Sequence, residues 1–131
     1  MSKSVLIVDD EMSNVKYLAA LMREHGYTPY FACDGSEGFD RIKEKKPDLI
    51  ILDILMPRLS GFGLFKILKE DDDLKKIPVI MLTAVSNVTG VDMKRKGKLK
   101  SIIGTEPDIY IEKPVEPEEL IGAVKQLIGE P

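Results

Sequence analysis

The 131-residue sequence has no tryptophan, one histidine and one cysteine. A lone Cys33 rules out an intramolecular disulfide, so the chain must hold itself together by its core. At this length it can remove roughly two thirds of its unfolded surface from water. No apolar run approaches the length of a membrane span or a signal-peptide core, and the expectation is a protein of the reducing cytoplasm with no membrane contact. There is no internal repeat, low-complexity tract or linker, and the chain reads as one domain over residues 1–131. An excess of positive charge is missing too. A net charge of −3 and a pI near 5.3 give no global attraction to nucleic acid, which is not expected as a partner of this domain. The last helical pattern ends just before Gly129-Glu130-Pro131, so an output module is expected to be a separate protein or to lie outside this sequence.

What the chain does have is a set of short apolar runs that end in polar chemistry. The central one is Asp48-Leu-Ile-Ile-Leu-Asp53-Ile-Leu-Met-Pro57, the pattern of a strand buried on both faces of a parallel sheet. An unpaired carboxylate is costly inside such a strand, which places Asp53 at its carboxyl end, where open α/β sheets carry their ligand sites. Val5–Val8 runs into Asp9-Asp10-Glu11, Val79–Leu82 into Thr83, and Ile109–Ile111 into Glu112-Lys113-Pro114. If these strands are parallel, Asp9, Asp10, Asp53, Thr83 and Lys113 converge on one sheet edge.

Between the strands the period changes. A helix is expected from about Asn14, with Val15, Leu18, Ala19 and Met22 on its buried face and Gly26 at its end. His25, in the last turn, is expected to complement the dipole and free carbonyls and not to act as a switch or phosphate carrier. Tyr27–Ala32 reads as a second strand, and Pro29 puts it at an edge. Cys33 reads as a small buried hydrophobe. Asp34-Gly35-Ser36 starts a helix with Phe39 and Ile42 inward and Lys43–Lys46 solvated. Met56–Gly61 reads as a loop, followed by a helix with Phe62, Phe65 and Leu68 inward. Asp71-Asp72-Asp73 reads as a solvated turn and not a metal site. The last strand, Asp108–Glu112, leads to a helix starting near Pro117, with Leu120, Ile121, Val124, Leu127 and Ile128 as its stripe. The whole is β-α five times over, an α/β fold with a doubly wound parallel sheet and helices on both faces.

Three carboxylates at neighbouring strand ends repel one another, by about 4 kcal/mol for unit charges ~4 Å apart at an effective dielectric of 20. A hard, all-oxygen cluster that is incomplete as a cage suits Mg²⁺ with retained waters and a substrate phosphate. With Lys113 as a second cation, the set is one for phosphoryl transfer to the Asp53 carboxylate, and Thr83 is suited to hydrogen-bond the product.

These motifs resemble the receiver domain of two-component response regulators, of the chemotaxis-regulator type. Asp9-Asp10, Asp53 with Met56-Pro57 and Gly61 following, Thr83-Ala84 and Lys113-Pro114 occur in order after apolar strands, and the resemblance covers nearly all residues from Lys3 to Ile128. It implies a flavodoxin-like five-stranded sheet of order 2-1-3-4-5 and phosphorylation of Asp53 by a histidine kinase or phosphotransfer protein. It also implies Mg²⁺ bound by Asp10, Asp53 and the Leu55 carbonyl, with Asp9 acting through water. Lys113 would hold the phosphoryl group, Thr83 would be the switch hydroxyl and Tyr110 the aromatic that turns inward with it. Lys113-Pro114 would be a cis peptide. Such a protein is no turnover enzyme, catalysing only its own aspartyl phosphorylation and slow dephosphorylation. The resemblance further implies signalling to a downstream protein, or a phosphorylation-linked dimer, through the helix before the fifth strand, that strand and the last helix.

Two features depart from the pattern. Residues 85–105 form a longer segment than the resemblance implies, with a basic run over 94–100. Leu55 and Val85 are apolar where many members carry residues that orient water, so slow self-dephosphorylation is expected. A phosphate-independent pseudo-receiver is the alternative reading. A phosphatase of the haloacid dehalogenase type would need an acid where Leu55 stands. A flavin phosphate would be repelled by Asp9-Asp10-Glu11.

Overall fold

The computed structural model describes residues 3–53, 61–83 and 107–131, with side chains of the third helix described from residue 63 onward. In chain order the elements are β1 (Ser4–Val8), α1 (Met12–Glu24), β2 (Thr28–Ala32), α2 (Gly35–Lys45), β3 (Leu49–Asp53), α3 (Gly61–Glu70), a 3₁₀ turn (Leu74–Lys76), β4 (Val79–Thr83), β5 (Ile109–Glu112) and a last described helix, α4 (Pro117–Ile128). The strands form one parallel sheet in the order β2-β1-β3-β4-β5, the order and class that the sequence reading expects.

Because successive strand residues face opposite ways, each continuous apolar run feeds two cores. Val5, Ile7, Leu49, Ile51, Ile80, Leu82 and Ile111 pack with Val15, Leu18 and Met22 of α1 and Leu120 and Val124 of α4. Leu6, Val8, Ile50, Leu52, Val79 and Met81 pack on the other face with Ile42 of α2 and Leu64, Phe65 and Leu68 of α3. Two aspartates then stitch the amino ends of the strands. Asp48, just before β3, accepts the Ser4 N–H at 2.8 Å, and Asp108, just before β5, accepts the Val79 N–H at 2.8 Å. The sequence reading assigned neither of these roles.

Helix α1 starts at Met12, earlier than the Asn14 expected, because the Asp9 carboxylate already ties down the Glu11 N–H at 2.9 Å and Asn14 instead donates to Glu11 Oε2 at 3.1 Å. Asp34 does cap α2, its Oδ1 accepting the Glu37 N–H at 2.9 Å. Phe39 is only half-buried, with the Lys43 ammonium 4.4 Å above its ring. Leu127 and Ile128 are likewise partly buried. Strand β2 begins one residue later than expected, since Tyr27 is buried and its hydroxyl donates to the Gly129 carbonyl at 2.7 Å. Cys33 is half-buried and not a core residue. Its thiol is pushed up by burial and by Glu37, Asp34 and Asp10, which keeps it protonated and inert. Asp71 Oδ1 accepts the Asp73 and Leu74 N–H groups at 2.8 and 3.0 Å, so the acidic triplet is a turn. His25 Nδ1 lies 3.0 Å from the Leu21 carbonyl oxygen, which can only accept, so this nitrogen carries the proton and the ring satisfies a helix-end carbonyl.

Candidate functional site

Among the described residues the buried polar side chains are Asp9, Asp53 and Thr83, all at the carboxyl edge of the sheet. The ladder extends one residue past the strand ends to hold the site. The Asp9 N–H donates to Ala32 O at 3.1 Å, and the Lys113 N–H donates to Thr83 O at 2.8 Å. Asp53 ends β3, paired with Leu82 of β4. By strand alternation Asp9, Asp53 and Lys113 share the face that α1 and α4 cover, whereas Thr83 and Tyr110 belong to the opposite face.

Lys113 Nζ donates to Asp53 Oδ2 at 2.9 Å, and the Asp53 side chain is only 5% exposed. Carboxylate oxygens of Asp9, Asp10 and Asp53 all lie within 4.8 Å of one another, Asp9 and Asp53 buried and Asp10 exposed. This crowding is visible in Asp9, whose carboxyl is raised from 3.8 to about 6. Burial is the main cause and the Asp53 charge adds to it, against the Glu11 N–H and Lys113, which lower it. Asp9 Oδ1 takes that Glu11 N–H, whereas Oδ2 is buried with no hydrogen-bond partner among the described residues. An orphaned buried oxygen in a cluster of three carboxylates with one nearby ammonium fits a hard divalent cation such as Mg²⁺.

Thr83 Oγ1 makes a long bond of 3.5 Å to the Ile111 carbonyl, a partner it can leave cheaply. The Tyr110 ring packs against the core on the α2 and α3 side, and its hydroxyl is buried. The Lys113-Pro114 peptide is cis, as expected. Thus Asp9, Asp10, Asp53, Thr83, Lys113 and Pro114 are gathered at one edge, and Tyr110 lies one strand position from Ile111. Leu55, Val85, the loop 56–60, the segment 85–105 with its basic run, and the inward placement of Phe62 lie outside the described residues. Sequence reasoning missed a cleft of about 270 Å³ beside the lysine, lined by Asn14, Tyr17, Leu18, Leu82, Lys113, Pro114 and Val115. Its signal was available only in part: Tyr17 breaks the polar face of α1 and is 44% exposed.

A parallel sheet of this order, with acids following β1 and ending β3 and a lysine following the edge strand β5, defines a doubly wound α/β domain with its polar groups at the carboxyl edge. The chain belongs to the response regulator receiver domain family, which matches residues 5–125. It is 35% identical over 130 residues to the polar-differentiation response regulator DivK of Brucella anthropi, covering 99% of each chain. A response regulator structure from Chloroflexus aurantiacus superposes with a TM-score of 0.84 at 31% identity, covering 99% of this chain and 100% of that one. The receiver domain of the sensor histidine kinase PA1611 of Pseudomonas aeruginosa, solved with magnesium in its active-site cleft, superposes with a TM-score of 0.81 at 22% identity, covering 99% and 100%. That last likeness concerns the fold alone. The protein is therefore a two-component signalling module built on a receiver domain. Among its described residues no helix is long and apolar enough to cross a membrane.

Proposed function

We propose that this receiver takes a phosphoryl group on Asp53 from a histidine kinase or phosphotransfer protein and thereby changes its affinity for a downstream protein. The observation that carries the reading is the Lys113 Nζ to Asp53 Oδ2 contact of 2.9 Å, set beside the Asp9 and Asp10 carboxylates. The buried Asp53 carboxylate is a nucleophile suited to attack on phosphorus, and the Lys113 ammonium beside it stands ready for the new phosphoryl oxygens.

In the transfer, an Asp53 carboxylate oxygen forms the bond to phosphorus as the donor's P–N or P–O bond breaks, and the leaving group takes up a proton. Mg²⁺, held by Asp10, Asp53 and the Leu55 carbonyl with Asp9 supporting its waters, would neutralise charge on the phosphoryl oxygens. Lys113, whose ammonium already contacts Asp53, would orient the group by pairing with a phosphoryl oxygen. Thr83 then exchanges its long bond to Ile111 for one to a phosphoryl oxygen, a contact available only in the phosphorylated state, and Tyr110 follows it. Leu55 stands where a phosphatase of the haloacid dehalogenase type would carry the acid that assists a leaving alkoxide, which supports self-modification over turnover.

The test is intact-mass analysis of the protein and of Asp53→Asn after incubation with Mg²⁺ and acetyl phosphate. Gain of one phosphoryl group by the parent alone supports the reading. No gain by the parent, with Mg²⁺ binding shown separately, would replace it with a phosphate-independent binding module. Followed over time, the same experiment tests the expected slow loss of phosphate, and Leu55→Asn with Val85→Glu should shorten the lifetime.

A further inference from the structure

The phosphoryl chemistry does not account for Gly122. It sits exposed in the middle of α4, and a Cβ added there would meet nothing within 4 Å. A glycine in a helix interior is destabilising relative to alanine, yet no neighbour among the described residues requires it. It lines a groove of about 440 Å³ between α1 and α4, floored by Leu21 and Ile121. Glu118 and Lys125 stand at the two ends of the α4 wall, and Glu24 is on the α1 wall. Glu118, Ile121, Gly122 and Lys125 are spaced i, i+3, i+4, i+7 and so form one stripe.

That stripe is complementary to itself. We propose that the groove is an interface between two copies of this chain, in which α4 packs antiparallel against α4 of the second copy about a two-fold axis between Ile121 and Gly122. The register that sets Ile121 into the notch at the partner's Gly122 also sets Glu118 against the partner's Lys125, and each contact occurs twice by symmetry. The α1 wall, with Leu21 and Glu24, flanks the incoming helix and its lysine. Lys125 now reaches Glu130 of its own chain at 3.5 Å, but with side chains 42% and 74% exposed that pair is weak and exchangeable. The apolar floor is small, Leu21 and Ile121 each being 7% exposed, so the dimer is weak and dependent on concentration.

Sedimentation equilibrium of the full chain, from low micromolar to millimolar, reads the association directly. A monomer–dimer equilibrium is expected. Glu118→Lys and Lys125→Glu should each weaken it about tenfold, because each replaces two ion pairs with two repulsions. The two single variants move the net charge in opposite directions, so a general charge effect cannot weaken both. The double variant Glu118→Lys/Lys125→Glu restores the pairing and should return the parent's constant. A chain that stays monomeric throughout, a dimer indifferent to the single variants, or a double variant that fails to recover overturns the proposal. The first of these outcomes would leave the groove to a helix of another protein.

Discussion

At the scale of the residue, the site is a place where stability is given up for chemistry. Asp9 is buried beside Asp53 with one oxygen lacking a partner among the described residues, an arrangement that penalises the metal-free fold. Asp9→Asn keeps the Oδ1 acceptor for the Glu11 N–H and removes the charge. It should therefore stabilise the metal-free protein by ~1–3 kcal/mol while weakening Mg²⁺ binding; urea unfolding without and with Mg²⁺ measures both. A destabilised Asp9→Asn protein would contradict this account. Thr83→Ala loses only a 3.5 Å bond, so its stability should change by less than about 1 kcal/mol. Phosphorylation should persist in that variant while the phosphorylation-linked change in the near-ultraviolet signal of Tyr110 disappears. A normal spectral response would break the proposed coupling between the two side chains.

At the scale of the element, two helix glycines make opposite predictions. A Cβ at Gly38 would lie 3.1 Å from Leu64 Cδ2 and 3.2 Å from Val8 Cγ1, so α2 lies as close to the sheet and to α3 as it does because this residue has no side chain. Gly38→Ala should destabilise the protein, whereas Gly122→Ala, facing open space, should stabilise the monomer by about 1 kcal/mol. Thermal unfolding of the pair, at concentrations too low for dimers, separates packing from propensity. The end of α2 offers a third case. Lys46 occupies the left-handed region at φ 45°, and Lys46→Gly should add ~1 kcal/mol by relieving it. Denaturant midpoints at constant slope are the readout.

At the scale of the whole molecule, the acidic edge links folding to pH and to metal. Asp9 has a folded pKa of about 6 against 3.8 when unprotected, so its proton favours the folded state fully below 3.8 and that contribution is lost as pH rises through about 6. On the proposed reading Mg²⁺ would bind the deprotonated cluster and so favour the folded state only where the proton has left. The melting temperature should therefore rise with Mg²⁺ far more at about pH 7.5 than at about pH 5, and in Asp9→Asn this pH dependence of the Mg²⁺ effect should flatten. An equal Mg²⁺ effect at both pH values in the parent would detach Asp9 from the cation site.

Much of this architecture is legible in the chain because local and global signals agree. Continuous runs such as Leu49–Leu52 can only be buried on both faces, helical spacing between them enforces crossovers, and Pro29 marks the edge that β2 occupies. The convergence of Asp9, Asp53, Thr83 and Lys113 follows from those strand ends. Other features have no local signature. Asp48 and Asp108 resemble any polar residue before a strand until β1 and β4 bring an N–H to each. Tyr27 is withdrawn from β2 by a carbonyl 102 residues away. Residue identity and period by themselves determined the strands, the described helices and which side chains meet at the carboxyl edge. The tertiary structure alone decided which carboxylate is raised and left with an orphaned oxygen, and where α1 and α4 leave a groove. Both depend on burial and on distances between segments far apart in the chain, which no local pattern encodes.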